Sequence, residues 1–503
     1  MRLKKSENGR QGIGFVPLPG DMTMNASNNS NGRKDDGSNQ RHLKQLWRSA
    51  VVLIIAAILT PPAQAAPDGG ALRWVRTYNG FSNGADDARG VKVDSKGNIV
   101  VFGQSFGDAM SYYDYVVRKY TPAGALLWSQ SINGVDNHNG LDEPKAMTLD
   151  AQDNVIVTGL SLGTRGIGLP DIMTVKLDTN GVIKWKKRYF LGDTGHEAGN
   201  AVAADAAGNI YVAGKGSSTV NTYHDAVLIK YNPTGTQLWA RRYNGLKNDN
   251  DEFLAVGVDT AGNAYVTGYT LVSYLNFQDV IVQKYSPAGT VLWTRLYNGT
   301  ASIEDWGESL TLDPQGNVIV TGSRGEGCSG NVCYSFLTLK YAPNGARQWV
   351  RIYNPLPQSD DLAHAVVANS NGEVYVTGQS AWKSAFYDYA TVKYSPTGAQ
   401  LWVKRYDGPG KGDDKAYGLA LDKAGNALVT GASYTNLAVY SDWATLKYTP
   451  SGAVAWTTRY DGPGHQMDMA FGVAAGPDGS VYAAGFSNLP ATGDDLTLIK
   501  YAP

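Results

Sequence analysis

Between residues 86 and 132, apolar and polar positions arrange themselves in four short runs separated by turn residues. The apolar stretch Gly90–Val93 meets Asp94-Ser-Lys-Gly-Asn98, and the apolar pattern resumes at Ile99–Gly103. A polar loop precedes Asp114-Tyr-Val-Val-Arg-Lys-Tyr120, after which Thr121-Pro-Ala-Gly124 leads into Ala125–Ile132. Asp-x-x-Gly and Pro-x-Gly are turn chemistry, because Pro presets φ and Gly accepts positive φ. The runs between the turns are rich in Val, Tyr and Thr, the residues that suit a pleated sheet. The pattern predicts four antiparallel strands. No window carries a 3.6-residue period and Gly and Pro interrupt every unit, so a helical solenoid is excluded.

The same unit recurs to the end of the chain. Tryptophans stand at 74, 128, 185, 239, 293, 349, 402 and 456, spaced by 53 to 57 residues. Lys-Tyr precedes the Pro-x-Gly turn in most copies, with Lys176-Leu177 as a variant. Four-stranded units repeating about every 54 residues describe the blades of a β-propeller. Units begin near 86, 142, 197, 251, 305, 361, 414 and 468, and residues 66–503 form a single all-β domain. The chain enters this domain with an orphan fourth strand, 71–78, and reaches Pro503 where a fourth strand should start. Pairing those segments closes the ring as three strands plus one and removes an open sheet edge. Eight blades are expected; seven would require one unit to lie outside the ring.

Composition agrees with this picture and narrows function. The chain has 59 Gly, 30 Tyr and 12 Trp but only 2 Cys, and 18% of its residues are charged. Two cysteines exclude a Cys₄ zinc site and a disulfide scaffold. A net charge of −1 lacks the basic excess of a nucleic-acid binder. Residues 1–65 differ from the rest: a polar, Asn- and Ser-rich stretch, then Arg41, Lys44 and Arg48 before an apolar run from Ala50 to Leu59 and Ala63-Gln64-Ala65. This reads as a disordered N-region followed by a cleavable signal peptide. Ten apolar residues are far short of the roughly 20 that span a bilayer, so no transmembrane anchor is expected in the mature chain. The expected destination is the periplasm, the cell surface or the exterior, and the expected state is a monomer.

The motif D-x-x-G-N-x-Y-V-T-G, with a downstream D-x-x-x-x-K-Y-x-P-x-G-x-x-L-W, resembles the bacterial SBBP-type β-propeller repeat over residues 71–503. That resemblance implies an extracytoplasmic protein with a binding role and supplies no catalytic residues. Its seven-bladed name departs from the count of eight. The G-x-x-L-W hairpin is more weakly similar to the tryptophan-docking repeat of quinoproteins, which concerns blade packing and not a cofactor.

Strand order puts the Asp-x-x-Gly-Asn and Pro-x-Gly turns on one uniform face, and the variable loops on the other. Variable loops on a rigid scaffold usually carry binding. An acid stands eight residues before each hairpin turn: Asp86, Asp142, Glu197, Asp251, Asp305, Asp361, Asp414 and Asp468. These could ring the channel mouth as a calcium site or a funnel for cationic ligands. The alternative, favoured by their repetition, is that each caps a loop by accepting backbone N–H bonds. No cofactor is otherwise expected. Departures from the repeat are the better binding candidates: Trp306, Trp382 and Trp443, with His196 and His364, map to the loop face, where aromatic rings stack on sugars or anchor peptides. Cys328 and Cys333 should form a disulfide in an exported protein. No G-x-S-x-G, P-loop, H-E-x-x-H or dinucleotide fingerprint is present, so no catalytic residue is assigned. The expected function is a binding scaffold for a carbohydrate, peptide or protein. The alternatives are a quinoprotein-like or glycan-processing enzyme acting at the channel mouth, and a structural envelope component.

Overall fold

The computed structural model describes residues 68–503 apart from 82, 108–111, 135–139, 163–168, 193–194, 218–222, 273–277, 300–302, 329–331, 382–385 and 435–439. The proposed signal peptide and the residues before it lie outside the described residues, as does Trp382. The fold is an eight-bladed propeller: eight four-stranded antiparallel sheets, each strand pairing with its sequence neighbour. Blade 1 consists of Asp86–Val93, Ile99–Phe106, Tyr113–Tyr120 and Leu126–Ile132. Blades 2 to 7 repeat this order, with innermost strands Asp142–Leu149, Glu197–Ala204, Glu252–Val258, Asp305–Leu312, Asp361–Ala368 and Asp414–Leu421. Blade 8 takes Asp468–Ala475, Val481–Leu489 and Gly493–Tyr501 from the C-terminal end and Leu72–Tyr78 from the N-terminal side, paired through Trp74↔Lys500 and Tyr78↔Leu496. Each innermost strand packs against the next, and that of blade 8 packs against that of blade 1, so the ring closes. The seven-blade alternative fails because all eight units supply a complete sheet to this ring.

The uniform face explains why the sequence repeats so closely. In blade 1 the Asp94 carboxylate accepts the backbone N–H groups of Lys96 and Asn98 and the Asn98 side-chain amide, while Gly97 takes φ +84°. Lys119 from the third strand reaches the same carboxylate at 2.8 Å, with both side chains buried. Lys119 and the Trp128 indole N–H then donate to one acceptor, the Thr179 carbonyl in the turn of blade 2, at 3.4 and 3.0 Å. Lys230 and Trp239 share the Pro287 carbonyl in the same way, and Lys340 and Trp349 share that of Pro396. One carbonyl offers two lone pairs, and the repeat fills both from the neighbouring blade. The indole lies on the turn glycine: a Cβ at Gly181, already at φ +81°, would meet Trp128 at 2.6 Å. Any other residue there clashes as well as straining the backbone.

The last clasp in the ring is assembled from two chain segments. Ala502 N–H donates to Ala71 O at 2.8 Å, just as Thr121 N–H donates to Ala125 O within blade 1. The Trp456 ring packs on Gly70 as Trp128 packs on Gly181. Between blades, the sheets bury aliphatic layers such as Val100 and Val117 of blade 1 against Met173 and Val175 of blade 2. Burial of this kind is the main favourable term of folding.

Candidate functional site

The eight acids that open the innermost strands are buried, with exposures of 0 to 1%. They do not present an open carboxylate ring to the channel. Asp86 accepts the N–H groups of Gly80 and Phe106, and Asp142 accepts that of Gly134. Glu197 accepts Leu191 N–H, Asp251 accepts Gly245 N–H, and Asp305 accepts Gly299 and Gly325 N–H. Asp414 and Asp468 accept the N–H groups of Gly408 and Gly462, whereas Asp361 takes the hydroxyls of Ser359 and Ser380. Each carboxylate therefore fastens the loop arriving from the preceding blade. Burial, against the hydrogen bonds that oppose it, raises Asp142 and Asp361 to about 7, and Asp251, Asp305 and Asp414 to about 6.

A second layer lies just outside them. Where the third strand starts with Asp and the fourth carries Arg three residues after its Trp, the two side chains pair within the blade. Arg188 holds Asp171 at 2.8 Å, Arg242 holds Asp225, Arg405 holds Asp388 at 3.0 Å, and Arg459 holds Asp442 at 2.7 Å. Carboxylate oxygens of Asp388, Asp407 and Asp414 lie within 4.8 Å of one another, as do those of Asp442, Asp461 and Asp468. These two triads are the groups among the described residues that could hold a calcium ion, although Arg405 and Arg459 already place positive charge in them.

The described aromatic and histidine candidates are spread over blades 3, 5, 6 and 7. Trp443 is fully buried, its indole donating to Phe486 O at 2.8 Å and its ring packed on Tyr460. It is core and not a loop-face residue, because it follows Asp442 at the third-strand position that Tyr115, Ile172 and Phe336 bury in other blades. Trp306 is half-buried in blade 5, edge-on to Tyr334 at 4.8 Å. His196 lies in blade 3 beside Ser217, and His364 in blade 6. The Cys328–Cys333 disulfide closes the loop between the second and third strands of blade 5.

Two arrangements escaped sequence reasoning. The first is a β-bulge in every innermost strand, between Ala88 and Gly90 in blade 1 and at the matching place in the other seven. Bulges re-aim a side chain, and the bulged residues are unlike one another: Arg89, Lys145, Asn200, Leu254, Glu308, His364, Tyr417 and Phe471. Along one arc they touch in sequence. Glu308 Oε1 lies 2.9 Å from His364 Nδ1, His364 meets the Tyr417 ring at 5.7 Å, and Tyr417 meets Phe471 at 5.6 Å. Burial depresses the His364 pKa, but the Glu308 hydrogen bond and charge outweigh it and raise the group above 6.5.

The second is a cleft of about 690 Å³ on the loop face at the closing seam, lined by residues of blade 1 and of the N-terminal strand. Tyr78, Phe81 and Phe106 give it aromatic walls, and Ser105, Asp114 and Ser131 give it polar ones. Phe81 is 88% exposed. The Tyr78 ring is held from beneath by the Arg118 guanidinium, 4.1 Å from its centroid.

Comparisons with known proteins agree with a propeller and go little further. No family model matches the chain, so the SBBP resemblance has no such support. An uncharacterized WD repeat-containing protein of Acanthamoeba polyphaga mimivirus is 21% identical over 435 residues, 68% of this chain. The chain spans 29% of that protein's length. The protein is a β-propeller repeat protein. Among solved structures, a eukaryotic initiation factor is 11% identical with a TM-score of 0.42, covering 82% of this chain and 88% of its own. A puromycin hydrolase mutant complexed with PGG is 11% identical with a TM-score of 0.44, covering 81% and 59% respectively. Drosophila Plexin A in complex with Semaphorin 1b is 9% identical with a TM-score of 0.41, covering 86% and 87%. No helix among the described residues is long and apolar enough to cross a membrane.

Proposed function

We propose that this protein is an exported binding scaffold of the SBBP-like kind that takes a peptide or protein ligand on its loop face. The observation that carries the reading is the seam cleft, where exposed aromatic surface and hydrogen-bonding groups stand together on a rigid ring. Exposed aromatic residues beside polar groups are the usual anchors of recognition. The uniform face carries smaller pockets of about 350 and 370 Å³ among its turns, and in the first of them Lys119 and Trp128 are already engaged with the Thr179 carbonyl of the next blade. Carbohydrate binding is the competing ligand class, and one array carrying both peptides and glycans separates the two. Ligands found on that array should lose about tenfold or more in affinity for Phe81→Ala, the change expected when an interface aromatic anchor is removed. Binding that survives this change, and that is instead lost on altering exposed uniform-face residues such as Lys96 or Asn180, overturns the reading.

A catalytic reading is favoured by one observation, the Glu308–His364–Tyr417 arc on the inner circle. A histidine oriented by a carboxylate is the arrangement of a general base. That reading requires turnover to fall steeply in His364→Gln while array binding at the seam is unchanged.

A further inference from the structure

Past the bulge, the innermost strands run toward the uniform face as short neutral segments, such as Ala146-Met-Thr-Leu149 in blade 2, Ala201-Val-Ala-Ala204 in blade 3 and Ser309-Leu-Thr-Leu312 in blade 5. Blade 1 departs from this with Gly90-Val-Lys-Val93. Lys92 is the one charged residue in these eight described segments, at a place where other blades carry Thr148, Ala203 or Thr311. An innermost strand has a sheet partner on one side and the channel on the other, so the exposure of Lys92 is exposure to the lumen. The geometry points to an oxyanion site in this sector of the channel, where Lys92 and Lys145 hold inorganic phosphate or the phosphate group of a small molecule. The site is separate from the loop-face cleft and does not rest on that reading.

Sheet register brings the two lysines to one blade boundary. Lys92 pairs with Val100, and residues opposite each other on neighbouring strands share a face of the sheet. Val100 lies in one core cluster with Met173 and Val175 of blade 2, so the Lys92 stem leans toward the blade that carries Lys145. Lys145 is the bulged residue of the blade 2 innermost strand, between Pro144 and Ala146. The bulge releases it from the alternation that buries Pro144 and Met147. Lys92 lies level with Thr148, three residues past Lys145, an offset of about 10 Å at the rise of a strand. Two flexible four-carbon stems close that offset around a single tetrahedral anion.

The carboxylates nearby are already engaged. Arg89, the bulged residue of blade 1, pairs with Asp87 at 2.7 Å and reaches Glu143 of blade 2 at 3.9 Å. Across the ring, Glu308 is held by His364. Neither Lys92 nor Lys145 makes an ion pair among the described residues. Apart from the loop-fastening acids Asp86 and Asp142, the innermost strands of blades 1 and 2 therefore set three cations, Arg89, Lys92 and Lys145, against two carboxylates, Asp87 and Glu143. Burial pushes the Lys92 amine below its ordinary value, and no carboxylate opposes the shift. A counter-ion in the lumen relieves an enclosed charge of this kind, and low-dielectric walls focus the field of the lysines on it. A phosphate group brings nearly two negative charges and three acceptor oxygens to two ammonium groups, whereas a carboxylate brings one charge.

The test is calorimetric titration of the full chain with inorganic phosphate, glycerol 3-phosphate and acetate at constant ionic strength and neutral pH. A phosphate ligand should bind about tenfold or more tightly than acetate. Lys92→Thr and Lys145→Asn should each weaken that binding about tenfold. Both variants borrow residues that other blades carry at the same places, Thr148 and Asn200, so circular dichroism should report an unaltered fold. Lys423→Ala, in an exposed uniform-face turn of blade 7, should bind as the native chain does. Phosphate should raise the melting temperature of the native chain but not that of Lys92→Thr, which without phosphate should melt no lower than the native chain. A merely structural lysine would instead lower it. Glycerol 3-phosphate binding at least as tightly as phosphate assigns a phosphomonoester, and binding of phosphate alone assigns the free ion. No saturable binding of either, equal binding of acetate, undiminished binding in both lysine variants, or an equal loss in Lys423→Ala overturns the proposal. Each of these leaves the loop-face reading standing, because Phe81→Ala tests that separately.

Discussion

The two faces of this ring use the same residue, aspartate, in opposite ways. On the uniform face, Asp94, Asp150 and Asp422 are desolvated, but a buried lysine and an asparagine amide more than compensate and hold them below the usual carboxylate range. On the loop face, Asp142, Asp305 and Asp361 receive loop N–H or hydroxyl groups, yet burial dominates and raises them. One face is charge-paired and closed between neighbouring blades. The other holds Asp142, Asp305 and Asp361 raised by burial, and in blade 1 it leaves a cleft. A repeat protein can keep one face invariant for closure and vary the other for recognition, because each blade contacts only its neighbours.

The largest effects should come from breaking the closed face. Trp185→Ala removes a buried indole and should cost about 3–5 kcal/mol, measurable by chemical unfolding, whereas Trp185→Phe should cost only about 1 kcal/mol for the lost hydrogen bond to Pro233 O. Lys340→Met strands the buried Asp313, with which it pairs at 2.7 Å, and should cost about 3–5 kcal/mol. If both substitutions prove neutral, the uniform face is not what holds the ring.

The pH dependence sharpens the contrast. The loop-face acids have folded values above their unfolded ones, so their contribution to stability is full below pH 3.8 and is lost as pH rises through about 6 to 7. The uniform-face acids have lowered values, so their contribution is present above 3.8 and is lost as pH falls further. From these two sets of acids, stability should peak near pH 4 and decline until about pH 7. Asp142→Asn should flatten that decline when melting is followed across pH, and an unchanged slope would contradict the assignment. A smaller effect is expected from calcium: with Arg405 and Arg459 already among the two carboxylate triads, adding calcium or EDTA should leave the melting temperature essentially unmoved. A clear calcium-dependent rise would show that the triads exchange an arginine for a metal ion.

Much of the fold is legible in the sequence because closure repeats: each Trp, each Lys-Tyr and each Pro-x-Gly turn recurs at a fixed place in the blade. The site is less legible because it is made of departures whose meaning depends on register. Ser131 means little until the strand pairing shows that Arg405 and Arg459 occupy the same position. Trp443 looks like a loop aromatic by its irregular spacing, yet one residue after Asp442 is a core position in every blade. Glu308, His364 and Tyr417 sit on a bulge, and no residue pattern marks it, since the extra residue varies from Arg89 to Phe471. Aligning the eight units by their Trp shows Arg three residues later in four of them, and Thr77, Ser131, Leu296 and Ile352 in the others.

Hydrogen–deuterium exchange of the full chain, with and without a saturating ligand taken from the array, tests the division of labour between the faces most directly. The account predicts protection concentrated in the loop-face segments 79–81, 105–107 and 131–134, with the turns at 94–98 and 121–125 unchanged. Protection of those turns with the loop-face segments unchanged would contradict it.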